Sequence, residues 1–231
     1  MDVSPAAFAS QLMYFNNPSI QTMDTREFDD PKSVEYHPYS HEASTQAYRD
    51  VNDRSDIGRF KYQKDKSTKN IAVYKSSGKT AKEKKLLFGY RGTASKRDVL
   101  TDAALTAGLF KHTRHANEVI TNFDKVRKIY PKHSIHLAGH SLGTVSSNYV
   151  AHSRPKSVKS QVLFNPPGSA LGVGSGIIKK FYKTKTQKDV EDKTVNLVNI
   201  FDPVSTLSKF RKNTKYRYHP GIHVHDLKQW T

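Results

Sequence analysis

Residues 133–144, HSIHLAGHSLGT, decide how this chain is read. A short apolar run, His133 to Gly139, has the character of a strand, and Leu142 to Val150 behind it that of a helix. Between them stands Gly139-His140-Ser141-Leu142-Gly143, a G-x-S-x-G. A serine on a sharp strand-to-helix turn has its Oγ exposed, and glycines on either side let neighbouring backbone approach without a Cβ in the way. A helix starting at Leu142 also turns its free N–H groups toward the serine, where they favour developing negative charge. The bare pattern is common; the apolar strand before it and the helix after it give it meaning.

Outward from this turn the elements alternate. Residues 70–75 (NIAVYK) and 85–91 (KLLFGYR) are short β-branched or aromatic runs joined by a lysine-rich polar turn, which predicts a hairpin. From Asp102 to Tyr130, apolar residues such as Val119, Phe123 and Val126 recur at helical spacing, with a break near Gly108 and a stop at Pro131. Gln161–Asn165 and Thr194–Phe201 read as further strands, and the glycine- and lysine-rich stretch between them as a loop with one short helix. Residues 44–60 (STQAYRDVNDRSDIGRF) read as a first helix and its exit. This order predicts an α/β fold: a mostly parallel central sheet with helices on both faces. Residues 1–44, with Pro5, Pro18, Pro31 and Pro38 and little apolar periodicity, read as an extended N-terminal arm, leaving 45–231 as the folded domain.

Composition narrows the function. The chain has 231 residues, 38 Lys and Arg against 21 Asp and Glu, and no cysteine. A disulfide scaffold, a thiolate zinc site and a cysteine nucleophile are therefore excluded. Mean hydropathy is −0.71, and no run approaches the roughly 18 apolar residues a membrane-spanning helix needs. Residues 1–50 hold three basic and eight acidic side chains, a net of −5, so the rest of the chain carries +22. Such a body is drawn to anionic partners, an anionic membrane surface among them, while the acidic arm could dock on a protein partner. No zinc-finger, RRM or helix-turn-helix pattern is present, which argues against a specific nucleic-acid reader. No basic cap followed by an apolar core precedes Gln21, so no secretory signal is expected, and the expected location is cytoplasmic or virion-associated.

Three segments in order, Leu87–Thr93 (LFGYRGT), Ile135–Thr144 (IHLAGHSLGT) and Asn199–Ser205 (NIFDPVS), resemble the class 3 lipase family of α/β-hydrolases. The likeness covers about residues 45–231, and the short spacing is similar to that of compact lipase-like proteins of large viruses and phages. The resemblance implies a lipid ester substrate, no cofactor and no metal. Ser141 would be the nucleophile, Asp202 the triad acid, and Thr93 with the Leu142 N–H the oxyanion hole. Arg91, Gly92, Gly139 and Gly143 would support it, with Asp102 bracing Arg91. Residues 94–110 would correspond to a lid, with Val99 where the family carries tryptophan.

A serine hydroxyl needs a histidine base within reach, and in this fold the chain order is Ser, acid, His. Only His152, His219, His223 and His225 follow Ser141. His152 precedes the acid strand and is read as a surface residue. His225, in His225-Asp226-Leu227, best matches the family's ending; His219 and His223 remain open. Two functions fit: a lipase or esterase working through an acyl-enzyme, or a lipase-like fold used as a structural or binding component, such as part of a virion.

Overall fold

The computed structural model describes residues 6, 9, 10, 56–92, 110–166, 184–199 and 214–217. Among these residues seven strands form one sheet: β1 (Phe60–Tyr62), β2 (Ile71–Ser76), β3 (Lys85–Tyr90), β4 (Ser134–His140), β5 (Val158–Phe164), β6 (Thr194–Asn199) and β7 (Thr214–Arg217). They lie side by side in chain order; β1 to β3 pair antiparallel and β3 to β7 parallel. Helices α1 (Arg114–Ile129), α2 (Gly143–Ser153) and α3 (Thr184–Asp192) fill the β3–β4, β4–β5 and β5–β6 connections. The predicted hairpin, central strand, helix behind it and two later strands are all present, with ends shifted by a few residues.

Strand order fixes where the helices sit. Parallel crossovers are right-handed almost without exception, so strands added always in one direction put every crossover helix on the same face. Val119, Phe123 and Val126 of α1, Val150 and Ala151 of α2, and Val190 of α3 share one buried cluster. The sheet supplies Ile71, Val73, Leu86, Phe88, Ile135 and Leu137 to it, alternate residues of three strands. The residues between them, Ala72, Tyr74, Leu87 and Ala138, face the other way.

That second face is covered from the N-terminus. Ala6, Ala9 and Ser10 are helical and fully buried, and Ala6 and Ala9 belong to the second cluster with Phe60, Tyr74, Val162 and Phe164. At these positions the stretch read as an arm is part of the core. The approach is close: a Cβ on Gly89 would lie 2.6 Å from the Ala9 carbonyl oxygen. The rest of residues 1–44 lies outside the described residues.

Two strands escaped the sequence reading. β1 occupies the end of the stretch expected to be helical, where Ile57 and Phe60 exchange backbone hydrogen bonds of 2.9 Å around Gly58 at φ +52°. It is three residues long, too short for alternation to register. β7, Thr-Lys-Tyr-Arg, lacks an apolar repeat altogether.

Buried polar groups pin the helices to the sheet. Ser147 Oγ donates to Gln161 Oε1 at 2.8 Å, and Gln161 Nε2 donates to Asn148 Oδ1 at 2.9 Å and Thr194 Oγ1 at 2.7 Å. This joins α2 to β5 and β6 with partners for both ends of the Gln161 amide, as a buried amide requires. Arg154 grips Asp124 through two bonds, 3.0 and 2.6 Å, tying the end of α2 to α1. His152 corrects the sequence reading: it is 4% exposed, not a surface residue, and its Nδ1 bonds the Asn148 carbonyl one turn back at 2.8 Å.

Candidate active site

Ser141 directly follows β4 and has φ +52°, the left-handed region that costs a residue with a Cβ about 1–2 kcal/mol. The surroundings hold it there. Its N–H donates to the Phe164 carbonyl at the end of β5, 3.0 Å away. Its carbonyl accepts from the Thr144 N–H at 3.0 Å and the Thr144 hydroxyl at 2.7 Å. The turn is thus fastened to the neighbouring strand on one side and to the first turn of α2 on the other.

Both glycines are required by contact. A Cβ on Gly139 would lie 2.6 Å from the Gly143 carbonyl oxygen, and one on Gly143 would lie 2.2 Å from that of Tyr90. Real Cβ atoms do not come so close, and each obstacle is backbone that cannot rotate aside. The second contact brings the exit of β3, Arg91-Gly92, against the start of α2. The N–H groups of Leu142 and Gly143, at the open end of the helix, donate no hydrogen bond among the described residues. Contrary to the exposed hydroxyl expected of such a turn, Ser141 Oγ is buried, and it likewise has no partner among them.

Arg91 is held from β2. Its N–H donates to the Asn70 carbonyl at 3.1 Å, and its Nη1 donates to Asn70 Oδ1 at 3.3 Å. Asn70 Nδ2 in turn donates to Glu118 Oε2 at 2.8 Å, and Thr68 Oγ1 to Glu118 Oε1 at 2.7 Å. Glu118 also lies 3.7 Å from His115 Nδ1, and His115 Nε2 meets Ser146 Oγ at 3.0 Å. Burial pushes the His115 pKa down, against the pull of Glu118, so the ring is neutral near pH 7.

This chain of contacts joins the β3 exit, α1 and the nucleophile helix, and the sequence reading missed it. The His115–Glu118 spacing of three along a helix was a signal that they share a face. Their meeting with Ser146 and Asn70 is purely tertiary.

Of the residues expected at the site, the fold brings together Ser141, Leu142, Gly139, Gly143, Arg91 and Gly92. Thr93, Asp102, Asp202, His219, His223 and His225 lie outside the described residues, as does the lid segment 94–109. At the same strand edge Asn165, at φ +42°, accepts the Asn199 N–H at 3.0 Å and donates to the Leu197 carbonyl at 2.8 Å. These bonds stitch the ends of β5 and β6 together, beside the Ser141–Phe164 bond that ties the end of β4 to β5. Among the described residues, no group of three or more His, Asp or Glu is placed to hold a metal ion. None of their helices is long and apolar enough to cross a membrane.

No curated protein matches the chain in sequence. Among solved structures, the Lip2 lipase from Yarrowia lipolytica is similar at 14% identity, covering 90% of this chain and 75% of that one, with a TM-score of 0.46. A mutant form of MDLA from Penicillium cyclopium is similar at 15% identity, covering 94% and 78%, with a TM-score of 0.44. Likenesses this remote specify neither substrate nor mechanism. Residues 37–205 match the family model described as alpha/beta hydrolase fold, a span that includes β1 to β6, all three helices and the Ser141 turn. With that match, and with a serine held in left-handed backbone between two obligatory glycines, the chain belongs to the alpha/beta hydrolase fold family.

Proposed function

We propose that this protein is a serine hydrolase cleaving carboxylic esters of lipid type, with Ser141 as its nucleophile. The observation that carries the reading is the Ser141 turn. A strained serine at the mouth of a helix, with unengaged N–H groups beside it, is the arrangement acyl transfer needs.

The remaining parts are assigned by chain order and strand position. Asp202 comes three residues after β6 in the chain, and β6 itself lies two strand spacings, about 10 Å, from β4. His225 is the proposed base, with His219 and His223 as alternatives. Ser141 Oγ attacks the ester carbonyl as the histidine takes its proton. The tetrahedral oxyanion is met by the Leu142 N–H and by Thr93, which follows the Arg91-Gly92 exit packed on α2. Collapse expels the alcohol, which takes the proton back from the histidine, and water attacks the acyl-enzyme by the same route. Asp202 holds the imidazole and stabilises its cation. Gly139 and Gly143 shape the turn, and Arg91, braced by Asp102 as well as Asn70, holds the oxyanion strand. Residues 94–110 form the lid.

The strongly basic body is proposed to favour anionic membrane surfaces, and the acidic part of residues 1–44 a protein partner. The test is hydrolysis of short p-nitrophenyl esters. Wild-type protein turns them over and Ser141→Ala does not. Equal activity in the two would end the hydrolase reading and leave the fold as a binding or structural component.

A further inference from the structure

A cleft of about 450 Å³ opens at the edge of the sheet opposite Ser141. Its wall contains the first residues of β4 and β5, Ser134, Ile135 and Val158, whereas Ser141 follows the last residue of β4. Seven residues of strand separate the two, roughly 20 Å. The cleft therefore belongs to no part of the proposed ester site.

Its lining is one-signed. Arg127 of α1, Lys156 in the α2–β5 turn, and Lys159 and Lys193 flanking the strand starts all border it, and no carboxylate does. Lys193 is neutralised by Asp189 at 2.8 Å and donates to the Pro155 carbonyl at 2.9 Å, so it shapes the wall. Arg127, Lys156 and Lys159 make no ion pair among the described residues, in contrast to Lys61, Lys66 and Arg154. Three cations from separate elements thus converge on one concavity, where low-dielectric walls focus their field. His133 Nδ1 in the same wall is buried and has no hydrogen-bond partner among the described residues. The volume is that of a small-molecule site.

We propose that this cleft binds a multiply charged phosphate group, with Arg127 as its planar, two-pronged contact and Lys156 and Lys159 as point charges. Guanidinium matches phosphate oxygens pairwise, and ammonium groups neutralise the remaining charge. The position favours a soluble phosphate-bearing molecule over a lipid headgroup: a membrane bound here would lie on the side away from Ser141.

Calorimetric titration of the full chain with inorganic pyrophosphate tests this. Saturable one-to-one binding is expected, weakened about tenfold or more in Arg127→Gln/Lys159→Gln, since the pair removes two charge-assisted contacts to the phosphate. Lys64→Gln/Lys125→Gln removes the same charge from exposed lysines outside the cleft and should change the affinity less than about twofold, as screened distant charges do. Equal weakening by both pairs, or binding without saturation, would reduce the effect to the net charge of +17 and overturn the proposal. A parallel arm uses phosphatidylcholine vesicles with and without phosphatidylglycerol. Loss of vesicle binding in the cleft pair alone would make the phosphate a headgroup; vesicle binding that the cleft pair leaves intact, beside lost pyrophosphate binding, makes it a soluble one.

Discussion

Ser141 and Ser146 are both buried serines at the start of one helix, and their environments are opposite. Ser146 sits inside α2 with its hydroxyl committed to His115, whose other nitrogen faces Glu118. By residue type alone, the contacts from Ser146 to His115 to Glu118 join a serine, a histidine and an acid. Yet Ser146 has helical backbone, and the free amides that could hold an oxyanion lie at the helix mouth instead. Ser141 has the left-handed turn, the helix mouth and an Oγ without a described partner. A catalytic serine is defined by how backbone presents it; a histidine contact alone makes a structural brace.

The sharpest way to break this comparison is to delete each hydroxyl. Ser141→Ala should lower kcat for ester hydrolysis by about 10³-fold or more, as loss of a nucleophile does. Ser146→Ala should keep kcat within about threefold and lose about 1–2 kcal/mol of stability, the worth of a buried hydrogen bond. Steady-state kinetics with urea unfolding of both variants reads the contrast, and inactivation by the second alone would reverse it.

Gly143→Ala attacks the presentation instead of the group presented. Its Cβ would need room that the Tyr90 carbonyl, 2.2 Å away, occupies. We expect a loss of about 3 kcal/mol in unfolding free energy, the upper end for forced overpacking because the obstacle is backbone, with activity falling in parallel. A fully stable, fully active variant would mean that β3 and α2 do not meet as described.

Acid titration separates a buried histidine from a half-buried one. Burial above all, with Lys85 and Lys159 among the nearby cations, pushes the His136 pKa down to about 4 from an ordinary 6.5, and its ring bonds Ser160 Oγ at 2.8 Å. A depressed histidine pKa means the unfolded chain binds more protons, so stability is full above pH 6.5 and declines as pH falls toward 4. Over that window His136 contributes up to about 3 kcal/mol. His136→Gln should flatten the slope of unfolding free energy between pH 6.5 and 4. His115→Gln should flatten it in the same direction and to a smaller degree, since Glu118 opposes the effect of burial.

The smallest effect tests the brace. Glu118→Gln keeps an acceptor for Thr68 but removes the charge facing His115 and Asn70. A loss of about 1 kcal/mol is expected, because the amide keeps neutral hydrogen bonds and forfeits only the extra strength of the charged ones, with kcat reduced less than tenfold. Abolished activity at unchanged stability would make Glu118 part of the chemistry.

Much of the fold was legible because its signals are local. β2 to β6 carry apolar runs dense enough to register, and the G-x-S-x-G sits where a strand must become a helix. What escaped reading is non-local. β1 is too short and β7 too polar to stand out, and both exist because a neighbouring strand offers hydrogen bonds. Ala6 and Ala9 are small residues in a proline-bearing segment, and only Gly89, across the chain, betrays that something packs close. His152 was misread because polarity suggested surface, while the carbonyl of Asn148 gives its ring a partner inside. The site divides the same way: Ser141 and its glycines are encoded within five residues, but the partners named for it come from distant segments.

The central claim is that backbone strain, not side-chain company, marks the reactive serine. Treating the full chain with a fluorophosphonate and mapping the adduct by peptide mass spectrometry tests it directly. The account predicts one phosphonate per chain, on Ser141, and none in folded Ser141→Ala. Folded wild-type protein that takes up no label, or carries it on Ser146, would contradict it.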